Sequence, residues 1–234
     1  MLDFDSGKVV MMSLIRFYVT ALLLLPVSSH AALAITCHCF TDRSYDASRP
    51  AHADPYFLAT TQNSFFSTFF SVDKKTVVMK KQGGVSSDDL WVAYWVASKS
   101  GKSGDALLSL RGKAVSWHEI IVPMGLPAQS IGKQFAADVS SGASTERLAQ
   151  VIVDGVLAQY GVLGEHDVVS LRNEWASNQE IILAALLATK NTRSALQIYR
   201  DVKKGTKSWG ALLHEATIKP AAMQAEFAAL LKLK

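Results

Sequence analysis

Two short blocks recur in this chain at one spacing, and that recurrence restricts the fold more than any composition figure. Ser116-Trp117 returns as Ser208-Trp209, and Phe135-Ala136-Ala137 returns as Phe227-Ala228-Ala229, each 92 residues further on. Between the blocks, Ile120, Ile121, Leu126 and Ile131 align with Leu212, Leu213, Ile218 and Met223. Upstream, Lys99 aligns with Lys190 at 91 residues and Arg111 with Arg200 at 89, so short loop indels separate the blocks. Two identical clusters at one offset are the mark of a duplicated supersecondary unit. The expected copies span residues 54–139 and 144–232.

The punctuation within each copy is helical. Asp54-Pro55 reads as an N-cap followed by proline at the first helical position, ahead of a Phe-rich run. Gly83-Gly84 stops the next segment, and Ser86 or Ser87 caps an apolar helix carrying Leu90, Trp91, Tyr94, Trp95 and Val96. Ser103 and Ser116 start short helices, Pro127 opens one expected to run to Val139, and Ser144 opens one that stops at Gly161. The order then returns: Asn178 opens a helix with Ile181, Ile182, Leu183, Leu186 and Leu187, Ser208 caps another, and Pro220 opens the last. A hydroxyl at the start and Gly or Pro at the end satisfy or avoid the orphan backbone groups of helix termini. No stretch sustains the period-two alternation of a strand. The fold class is therefore all-α: two tandem multi-helix repeats preceded by an irregular N-terminal arm. Trp117 and Trp209, each directly after a capping Ser, are expected to fold over the preceding connection and clamp it, so Ser116, Trp117, Ser208 and Trp209 are structural markers of the repeat.

Residues 1–34 read as a secretory leader. Arg16 supplies the positive region, Phe17 to Val27 the apolar stretch, and Ala32 and Ala34 the small-x-small cleavage pattern, so a mature chain would begin at Ile35. Met1 to Met11 is unlike such a leader, which leaves Met12 as an alternative start. Pro26 interrupts the apolar run short of the ~20 residues a membrane span needs, so no stable span is expected after cleavage. The expected location is periplasmic or secreted. Hydrophobic content of 49% with 19% charged residues excludes global disorder, and a formal charge of +4 is too mild to imply a nucleic-acid partner.

The most suggestive chemistry is Cys37-His38-Cys39 in the arm of residues 35–53, which holds the only two cysteines. Two thiols and an imidazole this close would hold a soft metal such as copper. In an oxidising compartment they would instead bridge, either locally or to another chain as a disulfide-linked dimer, or stay unused. A zinc site would need a second ligand pair, and none is spaced for it. The arm beyond, Thr41 to Ala53, reads as irregular chain laid on the first repeat. His118-Glu119 lacks the second histidine of a zinc signature, and Glu165-His166-Asp167 suits the first turn of a helix. No catalytic residues are identified, and no cofactor beyond that soft metal is expected. The segments 116–135 and 208–227 have the outline of a helix-turn-helix, but their second helices lack the cations and amides that reach bases and phosphates.

The two blocks Arg111-Gly112-Lys113 with Ser116-Trp117, and Lys204-Gly205 with Ser208-Trp209, resemble repeats of uncharacterised exported bacterial proteins. The resemblance covers mainly those blocks and implies a helical exported protein with no assigned activity. The expected function is a non-enzymatic binding or scaffold protein of the cell envelope, with an envelope protein as partner and a groove at the joint between copies. The competing classes are a thiol-redox or soft-metal protein working through Cys37, His38 and Cys39, and a DNA-binding helix-turn-helix protein.

Overall fold

The computed structural model describes residues 44–113 and 115–232. The leader and Cys37, His38 and Cys39 lie outside the described residues. Those described are helical, with no strand among them. Helices α1 (Asp54–Phe70), α2 (Lys74–Gln82), α3 (Ser87–Ser100), α4 (Gly104–Arg111) and α5 (Trp117–Ile121) are followed by a 3-10 turn, Val122–Met124, then α6 (Ala128–Ile131) and α7 (Lys133–Ser140). Next come α8 (Thr145–Gln159), α9 (Glu165–Asn173), α10 (Asn178–Ala188), α11 (Ala195–Lys203) and α12 (Trp209–Glu215), then a 3-10 turn, Pro220–Ala222, and α13 (Met223–Leu230). Helices α1 to α4 each begin 91 residues before α8 to α11, and α5 begins 92 before α12.

Serine sets most of these starts. Ser86, Ser103, Ser116, Ser144, Ser177, Ser194 and Ser208 each accept a hydrogen bond from a backbone N–H of the first turn. At Ser116, Ser177 and Ser194 the third helical residue, Glu119, Glu180 or Gln197, reaches back to complete a capping box. Each such cap is worth about 1 kcal/mol, which matters for helices of five to nine residues that would not persist alone. Trp117 and Trp209 are buried directly after their caps, and the Trp117 indole donates to Asp89 on α3 at 2.8 Å.

The packing crosses between the halves. Helix α3 lies along α8, while α10 lies along α1; α7 meets α8, while α13 meets α1. The core is one continuous cluster running from Phe57 to Leu231.

Three details depart from the expectations above. Asp54 does not cap its own helix: Ala53 holds the N-cap position, and the Asp54 carboxylate accepts from the backbone N–H of Trp209 and Gly210 at 3.1 and 2.8 Å. It caps α12, 155 residues away in sequence. The helix expected from Pro127 to Val139 is broken at Gly132, whose φ of 95° and ψ of 129° are open to glycine alone. Finally, the described part of the arm rests on α12 of the second half. Tyr45 stacks on His214 at 4.9 Å, and the Ser208 hydroxyl donates to the carbonyl of Pro50. Gly210 permits this approach, since a Cβ there would lie 2.8 Å from the Phe57 ring.

Candidate functional site

Beside the break at Gly132, a groove of about 620 Å³ lies among α7, α8 and α9. Its walls are Ile131 and Phe135 on one side and Val168 and Val169 of α9 on the other, with Val151, Gly155 and Ala158 of α8 between them. Trp95 closes one end, held by its indole N–H donating to the Ile131 carbonyl at 3.0 Å, with the Lys99 ammonium 4.7 Å from the ring centroid. Gly155 sits in a helix interior with nothing within 4 Å of where its Cβ would be. A glycine there costs the helix about 1 kcal/mol relative to alanine, and it leaves bare backbone facing the groove.

The ion pair in the groove lining joins three helices. Arg172 of α9 holds Asp154 of α8 through Nη2 at 2.7 Å and Nε at 3.2 Å. Its Nη1 donates to the carbonyl of Ala176 at 2.9 Å, and Nη2 also reaches Asn178 of α10. Burial pushes the Asp154 carboxyl above its ordinary value, and the Arg172 hydrogen bonds act against that shift. Both partners are committed to each other, so the pair positions helices and offers no free acid or base.

The seam between α1 and α13 has the same elements and is shut. Phe65 and Phe227 meet edge to face at 5.1 Å, the Thr61 hydroxyl lies 3.3 Å from Met223 Sδ, and the Thr68 hydroxyl lies 3.5 Å from the Gln224 carbonyl. Ser64 and Ser67, which stand 91 residues before Gly155 and Ala158, are buried there. Their hydroxyls and Asn63 Nδ2 have no hydrogen-bond partner among the described residues. Lys81 donates to Asn63 Oδ1 at 3.1 Å, 91 residues before the Arg172–Asp154 pair at both positions.

A second exposed feature lies just beyond α9. Trp175 is 90% exposed and adopts a φ of 64°. A left-handed backbone costs a side chain-bearing residue about 1–2 kcal/mol. The residue 91 positions earlier, Gly84, takes φ of 92° without that penalty.

His118 points Nδ1 at the Val139 carbonyl, 2.8 Å away, and Glu119 is engaged in its capping box. Glu165, His166 and Asp167 form the first turn of α9. The elements of the helix-turn-helix outline are short, with α6 only four residues long. Asp154, Gly155, Arg172 and Trp175 were not singled out. The available signal was their departure, at 91-residue spacing, from Asn63, Ser64, Lys81 and Gly84. Among the described residues no helix is long and apolar enough to cross a membrane. No protein-family model, curated protein or solved structure matches this chain.

Proposed function

We propose that this chain is an exported binding protein of the cell envelope, built from a duplicated helical unit, whose working surface is the groove between α7 and α8. The duplication reading draws support from the matched helix starts, the repeated serine caps, and the reciprocal packing of α1 on α10 and α13 and of α8 on α3 and α7. The export reading rests on the leader pattern of Arg16, Phe17 to Val27 and Ala32-Leu33-Ala34.

The observation that carries the binding reading is the contrast between the two seams. On α1, the face holding Thr61, Ser64 and Thr68 is covered by the chain's own helix α13. On α8, the matching face of Ile152, Gly155 and Gln159 lines an open groove. A face that accepts a helix in one half fits an amphipathic helix in the other, with Gly155 and Ala158 allowing close backbone approach. The occupant we assign is such a helix on an envelope protein, laying an apolar row against Val151, Phe135 and Val169.

A photo-crosslinking side chain at Ala158 tests this in exporting cells. One discrete protein adduct is expected from Ala158, and its loss when Gly155→Trp fills the groove. A crosslinker at Ser67, inside the shut seam, is expected to give none. Absence of an Ala158 adduct, or persistence of the adduct in Gly155→Trp, would overturn the reading. Mass analysis of the exported chain is expected to find Ile35 at its N-terminus.

A further inference from the structure

Trp175 is held in its exposed position by contacts on both sides. Its own N–H donates to the Arg172 carbonyl at 2.9 Å, and the following carbonyl, of Ala176, accepts from Arg172 Nη1 at 2.9 Å. The preceding carbonyl, of Glu174, accepts from the Tyr199 hydroxyl at 2.8 Å, while Arg200 Nε holds the Glu174 carboxylate at 2.8 Å. Both flanking peptides are thus fixed, and the indole projects into solvent. The other tryptophans differ: Trp91, Trp117 and Trp209 are buried and Trp95 is half-buried.

The surroundings of the ring are charged. Arg200, Lys203 and Lys204 come from the end of α11 and its cap. Arg200 pairs with Glu174 and Lys203 with Glu180, while Lys204 lies in the field of Glu174 and makes no ion pair among the described residues. The Lys203 ammonium is also 5.3 Å from the Tyr199 ring centroid.

We propose that this face docks on an anionic phospholipid interface, with Trp175 at headgroup depth and Lys204 against a lipid phosphate. A tryptophan anchoring a protein interface belongs inside an apolar patch ringed by polar groups, within about 800 Å² buried per partner. Here one exposed indole follows Glu174, whose carboxylate is held by Arg200 and lies in the field of Lys204, so an aromatic anchor and a cation without an ion pair among the described residues share one face, as in a headgroup-level belt. The rigid mount means that no ordering of the loop opposes insertion. Arg172 supports both this face and the groove, but Trp175 and Lys204 do not line the groove, so either assignment can fail alone.

Trp175 is the one largely exposed tryptophan, so its emission is the natural readout. The chain and its Trp175→Gly and Lys204→Glu variants would be titrated with phosphatidylglycerol vesicles and with phosphatidylcholine vesicles. Glycine fits the backbone at 175 as it does at 84, so Trp175→Gly is expected to fold, with a melting temperature no lower than the parent. The expected result is a blue shift and acrylamide shielding of the parent on phosphatidylglycerol alone and, by vesicle co-sedimentation, an apparent lipid affinity reduced about tenfold in Trp175→Gly and about fivefold in Lys204→Glu. Residues outside the substituted position are identical, so any contribution of the leader cancels. No shift on anionic vesicles, equal binding to phosphatidylcholine, or unchanged affinity in Trp175→Gly would overturn the proposal. So would shielding of Trp175 by a protein from envelope extracts when vesicles leave it exposed.

Discussion

Along α13 the molecule is shut, and along α7 it is open. The shut seam runs from the Pro220–Ala222 turn directly into α13, so one continuous segment lies on α1. The open seam is interrupted at Gly132, which separates two short helices, and the groove runs beside them along α8. Each seam breaks a local rule, and the two breaks are opposite. On α1, Ser64 and Ser67 are buried with no hydrogen-bond partner among the described residues, a cost of about 1 kcal/mol or more per hydroxyl. Opening on α8 keeps a helix-interior glycine exposed and half-covers an ion pair. Both defects cost stability, one inside a covered seam and one beside an accessible groove.

The largest effect should come from removing the cation in the lining of the open groove. Arg172→Met leaves the Asp154 carboxylate half-buried without its partner and strips the Ala176 carbonyl of its donor. Urea melts are expected to show a loss of about 3 kcal/mol. The matching change 91 residues earlier, Lys81→Met on α2, disturbs a neutral acceptor, Asn63 of α1, and should cost about 1 kcal/mol. Equal losses would mean that the two polar pairs carry the same load, and the contrast between the seams would lose its electrostatic half.

Smaller effects of favourable sign are expected on both seams. Ser64→Ala removes a buried hydroxyl that has no partner, and Gly155→Ala gives an exposed helix interior a better helix former with open space for its methyl. Each should raise stability by about 1 kcal/mol. Their consequences for function separate: Ser64→Ala should leave groove crosslinking unchanged, while Gly155→Ala should weaken it by narrowing the approach to α8. Destabilisation by Ser64→Ala would show that its hydroxyl has a partner in solution.

Much of this architecture is written locally. Seven serine caps, three capping boxes and the Gly and Pro stops are short-range signals, so helix positions could be read from neighbouring residues. The reciprocal packing could not, because a 92-residue spacing is equally compatible with two separate bundles and with first helices exchanged between halves. Asp54 shows the limit at one residue: its sequence context is that of an N-cap, but the helix it caps lies 155 residues away. Gly132 was visible, but an apolar pattern from Ile131 through Phe135 reads as one helix until its backbone angle is known. Trp175 was hidden for another reason. An exposed, left-handed tryptophan has no periodic signature, and only its position 91 residues after Gly84, which also takes a positive φ, singles it out.

The smallest expected effect tests the polar end where both halves meet. Asp88 of α3 and Gln179 of α10 stand 91 residues apart. Gln179 donates to Gln62 at 2.9 Å, but Val153 stands where Gln62 would be needed for Asp88. Burial, reinforced by Glu146 of α8 and the adjacent Asp89, pushes the Asp88 carboxyl up to about 6, while Arg172 of α9 and Lys81 of α2 act in the opposite direction. A folded value above the unfolded one means that the folded chain binds more protons between pH 4 and 6. This group therefore favours folding most below its unfolded value, and that contribution is lost as pH rises towards about 6. After solvent screening the swing should be no more than about 1 kcal/mol. Asp88→Asn is expected to flatten the slope of stability against pH over that window and to gain the same amount at pH 7. An unchanged slope would assign the titration to another group and make the polar ends of the two halves electrostatically equivalent.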